Sequence, residues 1–118
     1  MTDLMVIFSQ RPHSSIHAQE ALDAALAGTA FAEVSLLFLG DGVLQLLYKP
    51  IDATPQHRKA FQRGFAALTD YEITNIACCA DAFNRFRLPE QKLIIQPTLL
   101  TPSDISHRIT HSRQILSF

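Results

Sequence analysis

The sequence predicts an α/β domain, a single three-layer sandwich in which about five mainly parallel strands form one sheet with helices on both faces. Three observations predict it. Short continuous apolar runs recur, as in "LMVIF", "VSLLFLG" and "ITNIACC", and runs this short fit strands buried on both faces. Segments with helical apolar spacing lie between them. The chain has 118 residues, enough for one domain over residues 1–118 that buries its own core without disulfides or metal. Strands alternating with helices imply a parallel sheet, because right-handed crossovers set the helices on its faces.

Taken in order, Leu4 to Phe8 form the first strand and "SQRPHSS" a polar loop after it. In "IHAQEALDAALAGTA" the residues Ala18, Ala21, Leu22, Ala25 and Leu26 keep helical spacing. Ser14 or Ser15 caps the start of this helix and Gly28 suits its end. "VSLLFLGDG" repeats the pattern of buried strand and glycine turn, and "VLQLLYK" reads as a short apolar helix or turn. In "DATPQHRKAFQRGFAALTDY", Thr54 is a cap, Pro55 takes the first helical position, and Phe61, Phe65 and Leu68 form a stripe. "ITNIACC" is the third strand, "ADAFNRF" a short helix, and "KLIIQP" the fourth strand, stopped by Pro97. Thr101 and Pro102 open a last helix with Ile105 and Ile109 on one side, and "QILSF" is the final strand. The result is a doubly wound, flavodoxin-like sheet. Chemistry in such sheets gathers beyond the carboxyl ends of the strands, here at "SQRPHSS", "GDGVLQ", "CCAD" and "QPTLLTP".

Composition excludes several function classes. The formal net charge is −1 and no run of Lys or Arg occurs, so nothing offers an electrostatic grip on nucleic acid or an anionic membrane. The start "MTDLMVIFSQRPHSS" carries an acid where a signal peptide has a basic flank, and no apolar run is long enough to span a bilayer. A cytoplasmic protein is expected. Charged residues make up 18% and hydrophobic residues 47%, against a usual charged share of about 25%. Apolar segments such as "DGVLQLLYK" are therefore expected to meet partner chains.

The two cysteines, Cys78 and Cys79, stand side by side where the third strand meets a helix start. Their Cα atoms are only about 3.8 Å apart across a trans peptide, shorter than the roughly 4.4 Å or more of a relaxed disulfide. A helix N-terminus favours a thiolate and lowers its pKa, whereas free cysteine is also among the most buried residue types. Both readings stay open, and strand alternation sends the two side chains to opposite faces. Adjacent cysteines lack zinc-ligand spacing. His13 and His17, like His107 and His111, stand four apart, but the first pair begins in a loop and the second lies on a polar helix face, so solvated side chains are expected and no metal. "GDG" at Gly40 to Gly42 is read as a structural turn, since it lacks the dinucleotide fingerprint. Asp41 and Gln45, polar among apolar neighbours, line a crevice or an interface. His13 with Ser14 and Ser15 lacks the nucleophile elbow of a hydrolase.

The stretches "FSQRPH", "EALDAALA", "LGDGVLQLL", "ACCADAF" and "ILSF" together make the chain resemble, over nearly its whole length, the DsrE/DsrF-like sulfur-relay family, most closely its TusC-type (DsrF-type) subunits. The resemblance implies a small α/β sheet assembled as a heterohexamer with TusB-like and TusD-like sister subunits, two copies of each. It implies a complex that takes a persulfide from a TusA-like carrier and hands it to a TusE-like acceptor, toward 2-thiolation of the tRNA wobble uridine. The sulfur-bearing cysteine of such complexes is attributed to the TusD-type subunit. Cys78 matches that position by its distance from the following helix, and Cys79 matches a cysteine of TusC-type subunits.

The expected function is thus that of a subunit of a TusBCD-like sulfurtransferase complex, with Cys78 as first candidate for catalysis and Cys79 as second, and with no cofactor. Two alternatives remain: a non-catalytic structural subunit, including one in a DsrEFH-like sulfur-oxidation complex, and a stand-alone small-ligand module using the crevice of the sheet.

Overall fold

A computed structural model describes residues 3–10, 17–47, 68 and 70–118. The expected helix caps at Ser14 and Ser15, His13, and most of the helix expected after Thr54 lie outside the described residues. Leu68 is helical and fully buried.

Strand β1 (Leu4–Phe8) is buried along its whole length, as its unbroken apolar run requires. Helix α1 (His17–Gly28) follows, then β2 (Val34–Phe38), buried throughout. A 3₁₀ segment, Gly40–Leu46, leaves the end of β2. Strand β3 (Ile76–Cys79) runs directly into helix α2 (Ala80–Arg85). Strand β4 (Thr98–Leu100), helix α3 (Pro102–Thr110) and strand β5 (Gln114–Ser117) complete the order. The Thr101 hydroxyl caps α3 by accepting from the Asp104 amide at 3.2 Å, as its sequence position predicts.

All pairings are parallel and the strands lie in the order β4-β3-β2-β1-β5. The steps from β1 through β4 all move one way across the sheet, so right-handed connections leave their helices on one face. The step from β4 to β5 crosses back, and α3 falls on the other. The two cores follow this division. Alternate residues Leu4, Val6, Phe8, Leu36, Phe38 and Cys78 pack with Ala21, Leu22 and Ala25 of α1 and with Ala82 and Phe83 of α2. Met5, Ile7, Leu37, Ala77 and Leu100 pack under Ile105 and Ile109 of α3.

One expected strand is misplaced by the sequence. "KLIIQP" does not form β4: Leu93 makes a single antiparallel bridge to Leu47, and the Ile94 amide donates to the Leu46 carbonyl at 2.8 Å. The ladder to β3 begins only after Pro97, with Ala77 beside Thr98. Proline lacks an amide hydrogen and suits the entry of a strand, not its interior, while Leu93, Ile94 and Ile95 find burial against the first core without strand pairing. "QPTLLTP" is accordingly the edge strand itself and not a loop.

The turn reading of "GDG" has a physical basis. Gly40 has φ +52°, and a Cβ on Gly42 would stand 2.0 Å from the Phe8 carbonyl oxygen. Only glycine allows the 3₁₀ segment to lie flat on the end of β1. Gly42→Ala is expected to cost about 2–3 kcal/mol by forcing two backbones apart, measured as a lowered urea midpoint. The segment it anchors is no free apolar surface, contrary to the sequence expectation for "DGVLQLLYK": Val43, Leu44, Leu46 and Leu47 are buried in the chain's own core.

Candidate functional site

The carboxyl end of the sheet gathers Ser9 and Gln10, the 3₁₀ segment, the paired cysteines and the Thr101 cap. The change of winding direction falls between β1 and β5, where doubly wound folds open a ligand crevice. Here the pairing of the two strands runs on past their ends. The Ser9 amide and hydroxyl both donate to the Phe118 carbonyl, at 3.0 and 2.8 Å, and the Phe118 amide donates to Ile7 at 3.0 Å. Sequence reading missed this extension, whose signal was only the last apolar run pairing with the first strand.

Gln45 is almost fully buried and donates through Nε2 to the Gln10 carbonyl at 3.1 Å, tying the loop after β1 to the 3₁₀ segment. Its Oε1 has no partner among the described residues. Asp41, by contrast, points into solvent, so of the two polar residues in this segment only Gln45 is enclosed.

The cysteines end β3, two strands away from β1. Cys78 lies beside Phe38 in the register of β2 and β3 and is fully buried. Cys79 lies beside Leu100 of the edge strand, is half-buried, and is the residue preceding α2 with extended backbone (φ −68°, ψ 120°). Its side chain makes no capping hydrogen bond. The fold therefore separates two neighbours by accessibility. Burial pushes the Cys78 thiol up to about 12, and the adjacent Cys79 adds a smaller push in the same direction, because a thiolate loses its hydration in the core. Helix α2 has six residues and carries Asp81 in its first turn, so it offers a thiolate much less help than a long helix with a basic first turn.

His107 on α3 and His111 at its C-cap are both exposed, ring centroids 4.0 Å apart and tilted by 30°. His111 Nδ1 lies 2.8 Å from the His107 carbonyl oxygen. No group of three or more His, Cys, Asp or Glu able to hold a metal occurs among the described residues. Likewise no helix among them is long and apolar enough to cross a membrane.

Comparison with known proteins identifies this arrangement. The solved structure of the ychN protein of E. coli superposes with a TM-score of 0.79 over the full length of both chains at 17% identity. A conserved Bacteroides thetaiotaomicron protein of unknown function superposes at 0.66, with 16% identity, over 98% of this chain and 95% of the other. At such identities the likeness establishes the fold. Sequence similarity goes further: the chain is 33% identical to a TusC homolog of Aliivibrio fischeri and 30% identical to one of Vibrio vulnificus, across the full length of each pair. A TusC homolog of Haemophilus influenzae is 29% identical over 95% of this chain and 96% of its own. With the DsrE/DsrF-like family model matching residues 2–118, an all-parallel five-stranded sheet and two cysteines at the end of its third strand, this chain belongs to the DsrE/DsrF-like family.

Proposed function

We propose that the chain is a subunit of a TusBCD-like sulfurtransferase complex that supports persulfide relay toward 2-thiolation of the tRNA wobble uridine. The observation that carries this reading is the end-to-end similarity to TusC homologs. Sister subunits of TusB and TusD type, a TusA-like donor and a TusE-like acceptor are the partners it requires, in the cytoplasm. A stand-alone small-ligand module has less support, because the end-to-end similarity is to TusC homologs.

Within that reading Cys79, not Cys78, is the sulfur-bearing candidate of this chain, the reverse of the order that the sequence match favoured. Sulfane transfer needs a thiolate that attacks the terminal sulfur of a donor persulfide; the new S–S bond forms as the donor cysteine leaves as thiolate. A buried thiol held protonated to about pH 12 neither ionises nor reaches a donor. Cys79 is half-buried and stands at the edge of the core, so part of its surface is open to solvent.

The test loads the complex, assembled from purified subunits, with ³⁵S-labelled persulfide from its carrier, then locates the label by mass spectrometry in wild type, Cys78→Ser and Cys79→Ser. Label on this chain that disappears only with Cys79→Ser, together with onward transfer, is the expected result. Label confined to a sister chain and indifferent to both substitutions makes this chain a structural subunit and removes the Cys79 role. Failure of the wild-type chain to enter the complex removes the subunit reading itself.

A further inference from the structure

Four large hydrophobic side chains of the described residues are more than a third exposed, and three of them, Phe31 at 82%, Tyr71 at 51% and Ile115 at 37%, sit toward the amino-terminal end of the sheet, opposite the cysteines. Phe31 projects from the turn between α1 and β2, a turn held by the Phe31 and Ala32 amides donating to the Gly28 carbonyl at 3.1 and 3.0 Å. Two shallow clefts meet there. One lies between that turn and the turn before β3, with Glu33, Tyr71 and Glu72 on its walls; the other runs from Phe31 to Arg113 and Gln114. Ala32 is a wall of both, so the two clefts adjoin and make a two-part groove across the amino ends of the strands.

The groove is acidic as well as aromatic. Glu33 and Glu72 on its walls are exposed, and no cation pairs with them among the described residues, while Arg113 leans toward Asp3 at 3.8 Å. Glu72 is held at φ +61°, with the Ile73 amide donating to the Leu68 carbonyl at 2.9 Å. This is a helix end where glycine is the usual occupant. The same constellation matches one kind of partner chemistry. A guanidinium or ammonium group stacks on an exposed aromatic face and pairs with a flanking carboxylate, and exposed rings with charged rims are what protein interfaces bury at their centres.

We infer that this groove is the assembly face of the chain, where a sister subunit docks a surface bearing arginine or lysine. The inference rests on the subunit reading above. It gives the two ends of the sheet separate tasks: the amino end holds the complex together, and the carboxyl end with Cys79 stays open to carriers. A charge-led contact of this kind weakens with salt.

The experiment uses the chain co-purified with its sister subunits and measures assembly by native mass spectrometry and by titration at low and high salt. Phe31→Asp and the pair Glu33→Lys with Glu72→Lys are each expected to weaken assembly tenfold or more. Asp41→Lys at the opposite end leaves it unchanged. Because Phe31 is exposed, the thermal midpoint of the isolated Phe31→Asp chain stays at the wild-type value, which separates a lost contact from a lost fold. Wild-type assembly that survives all the amino-end substitutions overturns the assembly face and leaves the subunit reading standing. A wild-type chain that never joins its sisters overturns both. Self-association of the chain alone that Phe31→Asp abolishes also overturns the inference, since the occupant is then a second copy.

Discussion

Iodoacetamide at neutral pH is expected to modify Cys79 and to leave Cys78 intact in the folded chain, with both reacting once the chain is unfolded in urea. The reactive species is the thiolate. A thiol moved from 9.0 to about 12 carries roughly a thousandfold less thiolate at pH 7 than an unshifted one, and full burial of Cys78 adds a barrier of access. Time-resolved mass spectrometry of the two peptides measures the ratio directly. Alkylation of Cys78 at a rate within tenfold of Cys79 places the thiol outside the core and removes the argument for Cys79. The same burial has a pH signature. Between about pH 9 and pH 12 an unfolded Cys78 has lost its proton while the folded one retains it, so the unfolded state binds fewer protons and stability falls as pH rises through that window. Below pH 9 both states hold the proton and the contribution is flat. Cys78→Ala removes this alkaline slope, which urea midpoints at pH 8, 9 and 10 detect.

Truncating Phe38 to alanine is expected to cost about 3–5 kcal/mol, the range for removing a fully buried aromatic ring, and so to unfold much of the population of a marginally stable domain. Phe38 is completely buried at the end of β2, and its ring stacks on that of Phe8 with centroids 4.6 Å apart and planes 16° from parallel. Phe8 and Phe38 are direct partners in the parallel register, and Cys78 is the next in the same row. The cavity left by Phe38→Ala therefore opens beside the buried thiol. Urea unfolding measures the loss, and alkylation of native protein at low urea is expected to reach Cys78 in this variant. Phe38→Leu keeps most of the volume and costs less than half as much. A cost below about 1 kcal/mol for Phe38→Ala would place the ring outside the core and break the row.

The alternation of strands and helices, the place of both cysteines at the end of β3, the cap at Thr101 and the turn at Gly40 to Gly42 were legible in the sequence, because each depends on residues near one another in the chain. An unbroken apolar run specifies a strand buried on both faces; threonine before proline specifies a helix start; glycine specifies a turn that other residues resist. "KLIIQP" defeated that local reasoning. Its apolar residues satisfy burial as a packed loop as well as they would in a strand, and the choice belonged to Pro97 and to which segment reached the open edge of β3.

What the sequence by itself determined is the α/β class and the membership of the DsrE/DsrF-like family, since hydrophobic periodicity and family motifs are written in residue order. Tertiary structure alone decided which cysteine is accessible. Cys78 and Cys79 are identical in chemistry and adjacent in the chain, and they differ only in what other elements bring to them: Phe38, α1 and α2 enclose the first, while the second lies beside Leu100 of a three-residue edge strand. The strand order likewise decided that the chain's last residues pair beside β1 and that Phe31 and Tyr71 are both exposed at the amino-terminal end. Burial is a property of long-range neighbours, and it is burial that sets the ionisation of a thiol and the availability of a surface.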